Sequence, residues 1–403
     1  MEKKITRPQY QLLNLISYAL FPTNPIPAEF TEKELSQDLI TEAVYQTVLP
    51  FVYTAAQKLN IDATPCLQSL RWILANNMVV EYEHSELHNL LQAHNIPYVI
   101  LKGCVSASYY PEPALRTMGD VDFLVKESDL ERVGEILEKD GYIRTEDHEH
   151  EAHIVYHRPP KSVLEMHWRL SGIPQGRNGD RVREYFSDII ETARTVEMPE
   201  GSYRAPDDFH HCLVLLVHTA GHMINTGIGL RHLCDWAVFT EKVDIRQWHE
   251  ELSLCGLWRF AKLLTQLSVR YLHMPGQLWA LEDAEENLLE AMMCDIFAGG
   301  NFGKKDDQRI NQAKLMTDKE KGGVDGESMI KQLVSVMNEK AGIVLPVCRK
   351  IPILLPIGWI YAGGRHLLRI KDGKRPQIHM KEMVEGAAER REIYKKFHLF
   401  ESE

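Results

Sequence analysis

In the segment Arg116-Thr117-Met118-Gly119-Asp120-Val121-Asp122-Phe123-Leu124-Val125, two acids two residues apart sit in an otherwise apolar run. If the run is a strand, alternation puts Asp120 and Asp122 on one face, where two carboxylates repel each other unless a cation neutralises them. A hard divalent ion, Mg²⁺ or Mn²⁺, is the simplest such cation, because it takes oxygen ligands and is commonly held by one or two carboxylates with substrate phosphates. Taken alone, the pair also reads as a turn acid after Gly119 followed by an edge-exposed strand acid, since Asp-x-Asp is a frequent spacing. Two neighbours favour the chemical reading. Leu101-Lys102-Gly103 ends a short apolar stretch and leads into a short helical one, Val105 to Tyr110. A glycine at a strand-to-helix turn lets backbone donors approach a phosphate, and Lys102 adds a point charge. In Val163-Leu164-Glu165-Met166-His167-Trp168, Glu165 and His167 share a strand face and supply a third acid. Three carboxylates on adjacent strands suit two-metal phosphoryl or nucleotidyl transfer, in which the ions bridge attacking and leaving oxygens.

The elements that must position these groups are legible in the pattern. Tyr98-Val99-Ile100-Leu101 reads as a buried strand, Val121 to Val125 as a second, Ser162 to Trp168 as a later one, and Asp129 to Lys139 as a helix closed by Asp140-Gly141. A long helix is predicted from Leu67 to Ala93, stopping before Asn95-Ile96-Pro97 because a residue preceding proline leaves the α region. Residues 8–60 show helical spacing broken by Phe21-Pro22-Thr23-Asn24-Pro25-Ile26-Pro27. From Asp207 the pattern is helical again: Phe209 to His222, Leu230 to Glu241, Ile245 to Leu252, Trp258 to Tyr271, Asn287 to Phe297, and Met380 to Phe397. The Gly-, Asp- and Lys-rich stretch from Asn301 to Glu327 reads as a flexible, solvated loop or partly ordered linker.

Composition narrows the class of protein. The chain has 403 residues, 44% hydrophobic and 26% charged, which is ordinary for a multi-domain globular protein. Its net charge of −11 repels polyanions, so DNA coating is disfavoured. Seven scattered cysteines with no Cys-x-x-Cys spacing encode neither a disulfide framework nor a zinc cage, and a reducing cytoplasm fits them. The first residues do not read as a signal peptide.

In chain order, Leu101-Lys102-Gly103, Tyr110-Pro111-Glu112-Pro113, Arg116, Gly119-Asp120-Val121-Asp122-Phe123-Leu124-Val125 and Leu164-Glu165-Met166-His167-Trp168 resemble the uncharacterised nucleotidyltransferase family, part of the DNA polymerase beta-like nucleotidyltransferase superfamily. Gly227-Ile228-Gly229-Leu230-Arg231-His232-Leu233-Cys234-Asp235-Trp236 is similar to the helical part of that family. The resemblance implies an α+β fold: a polymerase beta-like core, a small mixed sheet with helices, over 98–204. An N-terminal helical segment (1–97) and a C-terminal helical domain (205–403) would flank it. It further implies a Mg²⁺- or Mn²⁺-dependent enzyme that moves a nucleoside monophosphate from an NTP, such as ATP, to an acceptor hydroxyl and releases pyrophosphate. By the same resemblance Asp120, Asp122 and Glu165 hold the metals and Glu165 helps deprotonate the acceptor. Lys102 and Gly103 meet the triphosphate, and Arg116 clamps a phosphate. The superfamily carries Gly-Ser at the first turn, where this chain has Lys102-Gly103-Cys104. Superfamily acceptors include small molecules, sugars, proteins and RNA, so the acceptor stays open. A non-catalytic nucleotide-binding scaffold and a toxin-like tRNA nucleotidyltransferase are the alternatives.

Other polar groups are candidates for supporting roles. His148, His150, His153 and His157 crowd the stretch before Glu165; they read as a polar hairpin beside the site or a transition-metal set, with His150 near the acceptor or phosphates. His218 and His222 share a helix face but lack the intervening glutamate of a zinc-protease helix. With Arg231, His232 and Asp235 they form a polar network between the helical and catalytic parts, Arg231 and Asp235 lining the cleft in its functional version. Residues 343–370 are apolar but broken by Pro346, Pro352 and Pro356, too short to span a bilayer, and read as core helices joined by turns. Their rival reading is a basic, Trp-bearing surface for peripheral membrane contact or an acidic partner. From Lys340 to the end, 13 Lys or Arg face 7 Asp or Glu, enough local charge for a tRNA-sized polyanion to dock.

Overall fold

The computed structural model describes residues 4–24, 34–145, 152–159, 162–198, 201–316, 329–371 and 380–401. Its centre is a five-stranded mixed sheet made of β1 (Tyr98–Ile100), β2 (Val121–Val125), β3 (Ile143–Arg144), β4 (His153–His157) and β5 (Val163–His167), in the spatial order β1-β2-β5-β4-β3. β2 and β5 run parallel and every other neighbouring pair is antiparallel. A separate hairpin, β6 (Arg194–Met198) and β7 (Gly201–Ala205), lies beside it.

Strand alternation gives the sheet two unlike faces. One carries Val121, Phe123, Val125, Leu164, Met166 and Tyr156 and closes a core against Val80, Leu87 and Leu91 of helix Leu67–Ala93 and against Val133, Ile136 and Leu137 of helix Leu130–Lys139. The long helix stops as the proline rule requires: Asn95 takes a left-handed φ of 52° and the chain turns into β1. The opposite face carries the acids and imidazoles, and the helical half covers it.

That half is led by helices Asp208–Asn225 and Leu230–Lys242. The first starts where the Asp207 carboxylate accepts the His210 backbone N–H at 2.9 Å, a side-chain cap. Both helices bury apolar residues such as Leu213, Leu216, Leu233 and Trp236 in the largest core. Leu12, Phe51 and Ala63 belong to that same core. The N-terminal stretch expected as one segment is therefore divided: residues up to Ala63 pack with the C-terminal helices, and Leu67–Ala93 packs with the sheet.

Two expectations need correction. The supposed loop after Asn301 contains helix Arg309–Met316, because Arg309 is buried on Asp295 and Ala313, Leu315 and Met316 enter the core; residues 317–328 lie outside the described part. Residues 343–370 are helical, as expected, but not core: most of the large apolar side chains described there face outward.

Candidate functional site

β2 is buried along its whole length, and Asp122 lies within it with its carboxylate almost fully enclosed. In the parallel pairing Asp122 stands opposite Glu165, and in the antiparallel pairing of β4 with β5 His153 stands opposite His167. Register alone thus assembles Asp120, Asp122, Glu165, His167 and His153 on one face from three strands. One carboxylate oxygen from each of Asp120, Asp122 and Glu165 lies within 4.8 Å of the other two. Asp120 is the exposed member, Glu165 is half-buried, and Asp122 forms the floor.

A buried acid survives here because it is paired on both oxygens. Lys102 Nζ lies 2.9 Å from Asp122 Oδ2, and His167 Nε2 lies 3.1 Å from Oδ1. Burial opposes ionisation of Asp122, yet Lys102 and His167 outweigh it and hold the carboxyl well below the usual carboxylate range. The negative charge of Asp122, with burial, pushes Asp120 the other way, above its ordinary value. His167 loses stability as an imidazolium through burial but gains more from Asp122 and Glu165, so its pKa rises. His167 Nε2 is also 3.6 Å from Glu165, and His153 Nε2 is 4.0 Å from it.

Gly103 starts the short helix Cys104–Ala107 with φ of 63°, a conformation that L side chains rarely adopt. A Cβ there would stand 3.0 Å from Nε2 of the buried His84. The glycine is therefore required by backbone geometry as well as by packing, and it brings Lys102 to the mouth of the cleft.

The cleft has a volume of about 230 Å³ and runs from the three acids to a wall supplied by the two helices. His218, His222 and His232 cluster there with ring centroids 4.2 to 5.9 Å apart, and Phe302 packs on His222 at 4.7 Å. Burial keeps all three imidazoles neutral at physiological pH, reinforced by Lys102 at His218 and His222 and by Arg231 at His232; His222 is lowered to about 4. Arg231 donates from Nη1 to the Thr117 carbonyl at 3.0 Å, while its Nε has no partner among the described residues.

Most of the residues singled out from the sequence come together here: Lys102, Gly103, Asp120, Asp122, Glu165, His167 and Arg231. Arg116 does not take the place expected of a phosphate clamp. Its guanidinium is buried and grips Asp235 bidentately, Nε and Nη2 each at 2.7 Å, and the Tyr110 hydroxyl donates to the same carboxylate at 2.6 Å. This closed pair ties the loop before β2 to helix Leu230–Lys242, and both Arg116 and Asp235 line the cleft with their charges already matched to each other. His148 and His150 lie outside the described residues. His157 sits at the far end of β4, near Thr145. His153 and Phe302 were not marked as site residues: the first was one of four crowded histidines, and the second is placed by long-range packing that no local spacing reveals.

A family model for the uncharacterised nucleotidyltransferases matches residues 32–273, more than half of the chain. The chain belongs to that family. The matched span contains the whole sheet, both cleft helices and every acid of the triad. No match was found among curated proteins.

Two ligand sets fit an ion by donor chemistry. Asp120, Asp122 and Glu165 offer only carboxylate oxygens, which suits Mg²⁺. His153, Glu165 and His167, whose donor atoms also lie within 4.8 Å of one another, add nitrogen and so suit Mn²⁺ or another transition ion.

Proposed function

We propose that the cleft of this nucleotidyltransferase-family chain moves a nucleotidyl group from an NTP to an acceptor hydroxyl. The observation that carries this reading is the convergence of Asp120, Asp122 and Glu165 within 4.8 Å at one end of an enclosed cleft. Those three acids are the groups that would hold Mg²⁺ or Mn²⁺, in a core of the polymerase beta-like kind. When bound, the ions would offset the negative charge that develops on the phosphate oxygens.

The chain's own side chains account for the remaining roles. Lys102 is held at Asp122 and balances its charge until substrate arrives, when its ammonium is free to turn to a phosphate oxygen. Arg231, with an unpartnered Nε beside the cleft, takes over the phosphate-binding task first expected of Arg116. Glu165 accepts the proton of the acceptor hydroxyl as the new O–P bond forms and the bond to the departing pyrophosphate breaks. The neutral His218, His222 and His232 with Phe302 offer a weakly polar wall of ring edges and faces against which an aromatic ring of nucleotide or acceptor packs.

The test is thermal unfolding of the full chain with each NTP, with and without Mg²⁺, followed by pyrophosphate release. Asp122→Asn alone is a poor probe because it strips Lys102 of its partner, so Asp120→Asn, at the exposed member of the triad, is the cleaner variant. A metal-dependent shift with one NTP that Asp120→Asn abolishes is expected; full pyrophosphate release by that variant would sink the reading.

The 2.9 Å contact between Lys102 and Asp122 favours one rival, a nucleotide-binding scaffold in which a built-in cation replaces a metal. It predicts NTP binding that is indifferent to Mg²⁺ and lost in Lys102→Ala.

A further inference from the structure

The helices Met329–Val344 and Leu355–Lys371 form a hairpin joined by helix Val347–Lys350 and a turn at Pro352–Leu354. Small residues make its inner seam. Ala341 and Cys348 are buried, and a Cβ at Gly358 would meet Ala341 at 2.7 Å and Cys348 Sγ at 2.9 Å. Trp359 Nε1 donates to Asn338 Oδ1 at 3.0 Å and links the two arms. Val336 fastens the hairpin to the main core.

With the seam filled by small groups, the large side chains are left outside. Ile353 is 83% exposed, Ile360 78% and Ile343 60%, and Val347, Ile351, Ile357 and Tyr361 join them. Seven of the twenty-one exposed large apolar residues among those described fall within residues 343–361. A concentration of exposed apolar side chains on one short hairpin points to an interaction site rather than chance exposure.

Charge identifies what it meets. Residues 340–371 contain six Lys or Arg and no Asp or Glu, in a chain whose net charge is −11, so the remainder carries −17. Exposed Lys340, Lys350 and Arg365 belong to this set. Two copies meeting through this face would set one cationic surface against another. Among the described residues no helix is long and apolar enough to cross a membrane, and Pro346, Pro352 and Pro356 interrupt the hairpin. Exposed apolar side chains interspersed with cations, on an element too short and too interrupted to span a bilayer, match an anionic lipid interface.

We propose that the 329–371 hairpin docks this protein on an anionic membrane surface, its isoleucines entering the headgroup boundary and its cations pairing with lipid phosphates. The hairpin lies outside the span matched by the family model, so the proposal is independent of the nucleotidyl-transfer reading.

The test is co-sedimentation of the full-length protein with vesicles of phosphatidylcholine alone and of phosphatidylcholine with phosphatidylglycerol in equal parts. Binding to the anionic vesicles only, weakened by salt, is expected. Ile353→Glu with Ile360→Glu should abolish binding while leaving the melting temperature and NTP binding unchanged. Lys350→Glu with Arg365→Glu should lower partitioning by about fivefold or more for each charge removed. No binding to anionic vesicles, equal binding to neutral ones, or binding retained in the isoleucine variant would overturn the proposal. So would a concentration-dependent dimer that the isoleucine variant abolishes, which would assign the face to a second copy.

Discussion

Two groups of buried charge in this molecule are built from the same residue types and end in opposite states. In the helical half, Asp295 is met by Arg309 through both carboxylate oxygens at 2.8 and 3.0 Å and by the Tyr394 hydroxyl at 2.6 Å. Arg390, beside it, donates to the carbonyls of Met223 and Ile224 at 3.0 Å each. Both oxygens of Asp295 have donors there, only Arg309 Nε is left without a hydrogen-bond partner among the described residues, and the network pins helices Glu286–Gly299, Arg309–Met316 and Met380–Lys395 together. In the cleft, three carboxylates cluster and only Asp122 is paired with Lys102, while Nδ1 of His167, both ring nitrogens of His232 and Nε of Arg231 are buried without partners among the described residues. A satisfied network stabilises one arrangement, whereas an unsatisfied one is costly unless something else completes it. The first therefore reads as structure and the second as a place for a ligand.

The sharpest contrast is between Asp120→Asn and Asp295→Ala. Loss of a metal-binding carboxylate should cost about 4 kcal/mol of transition-state stabilisation, roughly a thousandfold in pyrophosphate release, with the melting temperature unchanged. Asp295→Ala leaves two buried arginines uncompensated and should cost about 3–5 kcal/mol of stability in urea unfolding, with activity per folded molecule retained. Equal effects of the two variants on stability would erase the distinction. Gly103→Ala lies between them: the positive φ and the His84 contact together should cost about 1–3 kcal/mol of stability and also weaken NTP binding. An alanine variant with native stability and native NTP shift would remove the turn from the site.

The smallest effect expected is in acid. Asp235 resists ionisation through burial, but Arg116 outweighs this and holds its carboxyl below the ordinary value. A depressed folded pKa means that the pair contributes stability above the unfolded value, about 4, and loses it as pH falls toward the folded one. Urea midpoints followed below pH 4 should therefore fall less steeply in Asp235→Asn than in the native chain. Parallel slopes would show that the pair is not the titrating element.

Much of this was legible in the sequence, for identifiable reasons. The helix Leu67–Ala93 and the strands around Asp122 and Glu165 follow from hydrophobic periodicity and a proline stop, which are local. That Asp120 and Asp122 share a face, and Glu165 and His167 another, follows from alternation. What alternation leaves open is which strands are neighbours. The parallel pairing that sets Asp122 opposite Glu165 depends on register between residues 43 positions apart, and the antiparallel one that adds His153 on the register of a hairpin that pairs His153 with His167. The fate of Arg116 was equally hidden: an arginine near two acids suggests a phosphate ligand, yet its partner proved to be Asp235, 119 residues along the chain. Helix Arg309–Met316 escaped notice because its composition is that of a loop and its helicity is enforced by a buried ion pair.

The amino-acid sequence by itself determined the residue types, their faces and the element boundaries, because these depend on interactions within a few residues. Tertiary structure alone decided which charges find partners and which do not. Desolvation makes a buried charge costly, and only the packing of distant segments supplies or withholds the compensating group: Asp235 for Arg116, Lys102 for Asp122, and no protein partner for Arg231 Nε among the described residues.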